Sequence, residues 1–269
     1  MIVGGGLLVS LAARAGWGSL FFSMGALCLT AMTVVLFVRE PAAKQQAGGE
    51  GGRMTVAELW ARMKHLVRQP GVGWLLAAVA TYKAGETLAD AMFGIWLKEV
   101  HQIPKEQIAV WLGTWGVIAS LAGSAVGGLL ATRLRLKTAV AVAAVFRVIP
   151  LAGQWALVAG FALPTEQVII PLTSAEHFFG GILTTTMFAL MMSSVDRRIG
   201  ATHFTLLASV EVIGKSVPRL LSGWFVDLSG YQPVFAAAVA LSTLFLLVVV
   251  KVPRFHGETG SEGGSSAPA

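Results

Sequence analysis

Charge is what this sequence has little of. Only 13% of its 269 residues are Asp, Glu, Lys or Arg, while 55% are hydrophobic and the mean hydropathy is +0.72. A soluble globular domain carries about 25% charged residues, so this composition excludes an ordinary soluble fold and calls for membrane-spanning runs. Cysteine is equally scarce: Cys28 stands alone in an apolar run. One cysteine makes neither a disulfide framework nor a metal pair, and it reads as a small apolar residue of a span. Hydrolase and metalloenzyme signatures are missing too. There is no GxSxG, no HExxH and no Cys–His pairing. The chain therefore reads as non-enzymatic, with no cofactor and no metal-ligand set. No basic segment precedes the apolar Met1–Ala13 stretch, so it lacks the form of a secretory signal.

What is present is a series of apolar runs of membrane-crossing length. Trp17–Val38, Val72–Leu97, Gln107–Ala131, Lys137–Ala162, Val168–Ser194, Thr202–Val226 and Tyr231–Val250 each read as a span, since crossing takes about 20 residues. Tyr231–Val250 is free of charge and is expected to pack at the periphery. Met1–Ala13 is too short to cross and reads as the tail end of a helix. The expected organisation is 1–38 as the end of one helical half, 39–71 as a polar linker, 72–252 as a six-helix transmembrane domain and 253–269 as a disordered tail. Within the linker, Thr55–Gln69 places Leu59, Met63 and Leu66 at helical spacing among Arg62, Lys64 and Arg68. That pattern suits an amphipathic helix on a membrane surface and equally a solvated linker helix. Gly113, Gly116, Gly123, Gly127 and Gly128 mark a face for close helix packing.

The net charge of +6 would suggest nucleic acid in a soluble protein. Here the basic residues cluster in alternate short connections, so no nucleic-acid partner is expected. Arg133, Arg135 and Lys137, then Arg197 and Arg198, then Lys251 and Arg254 fall on one side, with the basic residues of 39–71. The positive-inside rule makes that side cytoplasmic, and the C-terminus with it. The lipid bilayer is the first expected partner.

Ionisable residues inside spans are costly and point by default to function. Lys83, Glu86 and Asp90 share one face of a helix and leave Asp90 toward the outer side if Lys83 pairs with Glu86. Lys83, Arg147, Glu176 and Glu211 all fall roughly 13–17 Å from a span end at 1.5 Å per residue, near the middle of a core about 30 Å thick. Secondary transporters bind substrate and ions at that level. Arg147 precedes Pro150 by three residues and reads either as an anion-binding group or as a partner for Glu176 or Glu211. Glu176 and His177 are adjacent, point about 100° apart and are expected not to face the same thing, which leaves His177 as a core histidine. Glu211, Lys215 and Arg219 step by four, in the order that favours pairing, with Pro218 bending the outer half. The candidate pathway residues are thus Lys83, Glu86, Asp90, Arg147, Glu176, Glu211 and Lys215. Glu86, Glu176 and Glu211 are the candidates for carrying a coupled proton.

Tyr82–Asp90, YKAGETLAD, resembles the seventh helix of AmpG-type permeases of the major facilitator superfamily. Asp196–Tyr231, DRRIGATHFTLLASVEVIGKSVPRLLSGWFVDLSGY, resembles their segment from the loop after helix ten through helix eleven. Its ATxFxLLxS core and the Gly214–Lys215 pair carry most of that likeness. The acetyl-CoA transporters are similar in the same region. Gly127–Lys137, GGLLATRLRLK, looks like the superfamily's cytoplasmic Gly/Arg loop motif without its usual acidic residue.

The resemblance implies an all-α polytopic bundle: the C-terminal six-helix half of a major facilitator fold plus the helix before it, with Met1–Ala13 as the end of helix five. It also implies proton-coupled import of an anionic, sugar-bearing muropeptide across the bacterial inner membrane, with an N-terminal half missing or supplied by a partner. Acetyl-CoA, also anionic, would suit Arg147 and Lys83 as well. A half-transporter remnant and a membrane-embedded enzyme are the competing readings.

Overall fold

The computed structural model describes residues 16–37, 71–195 and 199–252, with Glu58 and Lys64 as single positions. The expected features at Met1–Ala13 and Gly257–Ala269, and all but those two positions of Thr55–Gln69, lie outside the described residues. The chain divides into two units, Met1–Trp60 and Ala61–Ala269. In the first, α1 (Trp17–Phe37) is an apolar 21-residue helix. Its hydroxyls return to its own backbone: Ser23 to the Ser19 carbonyl, Thr30 to Ala26 and Thr33 to Leu29. A hydroxyl satisfied in this way can lie in an apolar span without an external partner.

The second unit holds α2 (Val72–Thr81), α3 (Ala84–Glu99), α4 (Lys105–Arg133), α5 (Leu136–Val158), α6 (Glu166–Ser193), α7 (Gly200–Ser229) and α8 (Tyr231–Lys251). No strand occurs among the described residues. Helices α4, α5 and α8 are long and apolar enough to cross a membrane by length and composition alone. The architecture is an all-α transmembrane helix bundle. Helix α4 includes a π-helical stretch, Ala109–Trp115.

One boundary and one packing expectation differ from the sequence reading. The expected single span Val72–Leu97 is broken, with Tyr82 and Lys83 forming a turn between α2 and α3. The break opens the helical ladder where the charges begin, and non-helical backbone at membrane depth is tolerated where protein covers it. Here α7 covers it: Gly214 lies against the carbonyl of Ala80 with no room for a Cβ. The second difference concerns α8. It is not peripheral. One face, with Val234, Phe235, Ala238, Phe245 and Val249, is buried against α2, α3 and α5, and only the other, with Leu244, Leu247 and Val250, is exposed.

Glycine sets the closest contacts. Gly123 and Gly127 of α4 seat against the backbone of Phe178 and Ile182 on α6, and Gly181 returns the fit against Ser120. Gly113 and Gly128, expected on the same face, meet nothing, so the packing face is narrower than the glycine count implied. Gly230, at φ 80°, alone links α7 to α8, a conformation that a residue with a Cβ rarely adopts. The two ends of α8 are tied by polar contacts. Lys137 donates to the carbonyl of Val250 at 2.8 Å, a cation on a helix C-terminus, and the Tyr231 hydroxyl donates to Glu99 at 3.2 Å.

Candidate functional site

The apolar core is split in two, and the charges lie in the gap. One cluster joins Leu75 and Val79 of α2, Val140 and Ala144 of α5, and Leu183 and Met187 of α6. The other joins Leu88 and Phe93 of α3, Leu151 of α5 and Ile169 of α6. Glu86, Arg147 and Glu176 fall between them on α3, α5 and α6. Arg147 is the central residue of the 23-residue α5.

Arg147 is 2% exposed and Glu176 is fully buried. The arginine donates to the Glu176 carboxylate through Nη2 and to its backbone carbonyl through Nη1 at 3.0 Å. The same Nη2 lies 3.1 Å from Glu86 Oε2, and Lys83 Nζ lies 3.6 Å from Glu86 Oε1. One guanidinium nitrogen therefore faces two carboxylates from different helices while the other reaches the Glu176 carbonyl, a forked geometry that lysine cannot reproduce. Gly180, four residues beyond Glu176, makes room for it, because a Cβ there would strike Nη1.

His177 departs from expectation. Its Nδ1 is 2.7 Å from Glu176 Oε2, so the neighbouring side chains turn toward each other and line one cavity. The 100° offset separates Cβ directions, not side-chain tips three bonds further on. Gly116 of α4 leaves space for the imidazole edge. The cavity has a volume of about 250 Å³ and is lined by Asp90, Phe93, Leu112, Gly113, Gln154, Thr173, Glu176 and His177. Glu86, Asp90 and Glu176 each bring a carboxylate oxygen within 4.8 Å of the others. Arg147 already serves two of those three, which leaves Asp90 as the carboxylate without an ion pair among the described residues.

A second cluster sits beside the first across the Tyr82–Lys83 turn. Glu211, 5% exposed, accepts from the Tyr82 hydroxyl and from Lys215 Nζ, both at 3.1 Å. The four-residue series Glu211, Lys215, Arg219 forms its first rung only; Arg219 is exposed. His203 is buried. The structure thus gathers Lys83, Glu86, Asp90, Arg147 and Glu176 around one point and holds Glu211 with Lys215 apart, joined to Tyr82.

No protein-family model matches the chain. Curated relatives do. The anhydromuropeptide permease of Escherichia coli strain K12 is 26% identical over 257 residues, 93% of this chain and 50% of that protein. The chain is a homologue of the AmpG-type permeases. The Rickettsia conorii transporter designated AmpG 4 is 23% identical over 65% of this chain, and the Rickettsia felis transporter designated AmpG 1 is 22% identical over 66%. The chain spans about half the length of the AmpG relatives it matches. All of these AmpG names are names of transporters rather than of enzymes.

Sequence reasoning passed over Tyr82, Gln154 and Thr173 and took His177 for a core residue. A signal was present for two of them. Gln154 follows Arg147 by seven residues and Thr173 precedes Glu176 by three, so each shares a helical face with a charge already singled out. Tyr82 carried no such signal, because its partner lies 129 residues away.

Proposed function

We propose that this chain forms the C-terminal half of a proton-coupled secondary transporter that imports a bulky anionic solute, a muropeptide, across the bacterial inner membrane. One observation carries the reading: a buried arginine held by two carboxylates at the centre of an apolar bundle, beside a cavity that Asp90, Glu176 and His177 help to line. A structural ion pair in such a place is an expensive device, whereas a cavity group that exchanges partners gains from being bistable. An anionic substrate competes with Glu86 and Glu176 for Arg147 and Lys83. A proton on Glu86 frees both cations from it, so proton and anion occupancy become coupled through shared partners. The muropeptide is taken from the name of the Escherichia coli relative.

Major facilitator transporters rock two helical halves about a central site. In this reading α3, α5 and α6 supply one wall of that site, and a complementary N-terminal half supplies the other. The richer basic connections, with Arg133, Arg135 and Lys137, face the cytoplasm together with the C-terminus.

The test is uptake of a radiolabelled anhydromuropeptide by cells that carry the transporter. Lys83→Ala and Glu86→Gln are expected to abolish uptake while membrane expression stays intact. Uptake by both variants at the unsubstituted rate overturns the site assignment. Uptake that is indifferent to dissipating the proton gradient overturns the coupling.

A further inference from the structure

Three carboxylates converge in the polar layer, and three basic side chains face them. Glu86, Asp90 and Glu176 each bring an oxygen within 4.8 Å of the others. Lys83 lies against Glu86, Arg147 against Glu86 and Glu176, and His177 against Glu176. Arginine, and lysine beside a carboxylate, stay charged. Histidine is a cation only while it holds a second ring proton. The layer is therefore neutral when it keeps one proton beyond those of Lys83 and Arg147, and apolar surroundings favour that neutral state. The helices around it add no further charge. On α4 the neighbours are Leu112, Gly113 and Gly116, which do not titrate. On α7, Glu211 and Lys215 pair with each other, and Glu211 with Tyr82.

Partners narrow where that proton rests. Glu86 and Glu176 each lie against a permanent cation, whereas Asp90 has no ion pair among the described residues. The His177 side chain is 28% exposed, against 1% for Glu176 and 2% for Arg147. Asp90 and His177 line the same cavity. Hydrogen bonding gives the second observation. Glu86 Oε2 and Glu176 Oε2 are buried and accept no hydrogen bond. Arg147 Nη2 lies 3.1 Å from the first and His177 Nδ1 2.7 Å from the second, but neither aims an N–H at it. Buried acceptors call for a donor. Ionised carboxylates only accept, while a protonated one donates. A proton on Asp90 gives the group the O–H donor it lacks.

We propose that Asp90 and His177 share one exchangeable proton in this cavity. The pair exists as aspartic acid with neutral imidazole or as aspartate with imidazolium. Between the two forms a proton leaves a carboxyl oxygen and arrives on a ring nitrogen, the charge of the layer is unchanged, and the two groups titrate as a unit. Glu176 is the positioning residue, holding the imidazole beside the cavity through its 2.7 Å contact. The inference rests on the transport reading only for the use made of the proton. When an anion takes Lys83 and Arg147 from Glu86, the shared proton passes to the Glu86 carboxylate, and the emptied pair takes another from the cavity. One proton then enters with each negative charge.

The experiment follows histidine protonation by NMR in the full chain, with isotope-labelled histidine, in lipid nanodiscs from about pH 5 to about pH 10. His177→Gln identifies the His177 resonance. In Asp90→Asn two carboxylates face two permanent cations, so the His177 midpoint is expected to fall by about one pH unit or more, a tenfold loss of proton affinity. Infrared spectra at about pH 8, where exposed carboxyls are ionised, supply the reverse test. In His177→Gln three carboxylates face two cations, so the proton rests on Asp90. The carbonyl band of a protonated carboxylic acid is expected there, shifted by isotope labelling of aspartate and not of glutamate. A His177 midpoint unmoved by Asp90→Asn overturns the sharing. So does the absence of the acid band from His177→Gln, or a band shifted by glutamate labelling, which places the proton on Glu86 or Glu176. The infrared arm decides the matter if Asp90→Asn fails to fold. Both readouts are taken without substrate, so a failure of uptake leaves them intact, and their failure leaves the uptake test standing.

Discussion

At the scale of single residues, the stability of the polar layer depends on completeness. Arg147 has no solvent to fall back on, and its two carboxylate partners have little. Removing one member of a buried ion group costs roughly 3–5 kcal/mol because the others are stranded. Arg147→Leu is therefore expected to lose about that much stability, read as a lower unfolding temperature in nanodiscs. Adding Glu86→Gln and Glu176→Gln to the same chain removes the stranded charges and is expected to recover part of the loss. A triple variant no more stable than Arg147→Leu alone contradicts the charge argument. Tyr82→Phe is a milder probe. It deletes one hydrogen bond to a buried carboxylate, a loss of about 1.5–3 kcal/mol, while Glu211 keeps Lys215. Unchanged thermal stability in Tyr82→Phe would show that this bond contributes nothing.

At the scale of elements, glycine position decides how close two helices come. Gly123 meets the backbone of Phe178, which cannot rotate away as a side chain can, while Gly113 and Gly128 face open space. Gly123→Ala is expected to push α4 from α6 and destabilise by about 1–3 kcal/mol, the cost of overpacking. Gly113→Ala and Gly128→Ala are expected to leave unfolding in detergent unchanged. Equal behaviour of the three variants would mean that the α4–α6 contact is looser than the structure indicates. The broken helix follows similar logic. The turn at Tyr82 and Lys83 is covered because Gly214 lets α7 close over the Ala80 carbonyl. Gly214→Ala is expected to disturb the break and, with it, the neighbouring Tyr82–Glu211 bond.

At the scale of the whole molecule, the question is which end faces which side. The proposed orientation places Leu134, between α4 and α5, in the cytoplasm and Leu163, between α5 and α6, outside; both are exposed. With Cys28 replaced by serine, a cysteine at position 163 is expected to react with a membrane-impermeant maleimide on intact cells. A cysteine at 134 is expected to react only after the cells are opened. The reverse pattern inverts the topology and moves the C-terminus outside.

The helices α4 to α8 were legible in the sequence to within a few residues, because an apolar run of membrane length has no other stable solution than a helix. The residue types that matter were legible for the same reason: charge in such a run is too costly to be incidental. The convergence of Lys83, Glu86 and Asp90 was local enough to count along one chain segment. Their meeting with Arg147 and Glu176 was not, because it depends on how α3, α5 and α6 pack, and depth alone left Glu176 and Glu211 as equal partners for the arginine. Only the tertiary structure chose Glu176, turned His177 onto it, gave Tyr82 to Glu211 and broke the helix between the two clusters. Composition determines that this chain enters a membrane as helices. Side-chain contacts between residues far apart in sequence determine which of its charges pair and which carboxylate of the cluster, Asp90, has no ion pair among the described residues.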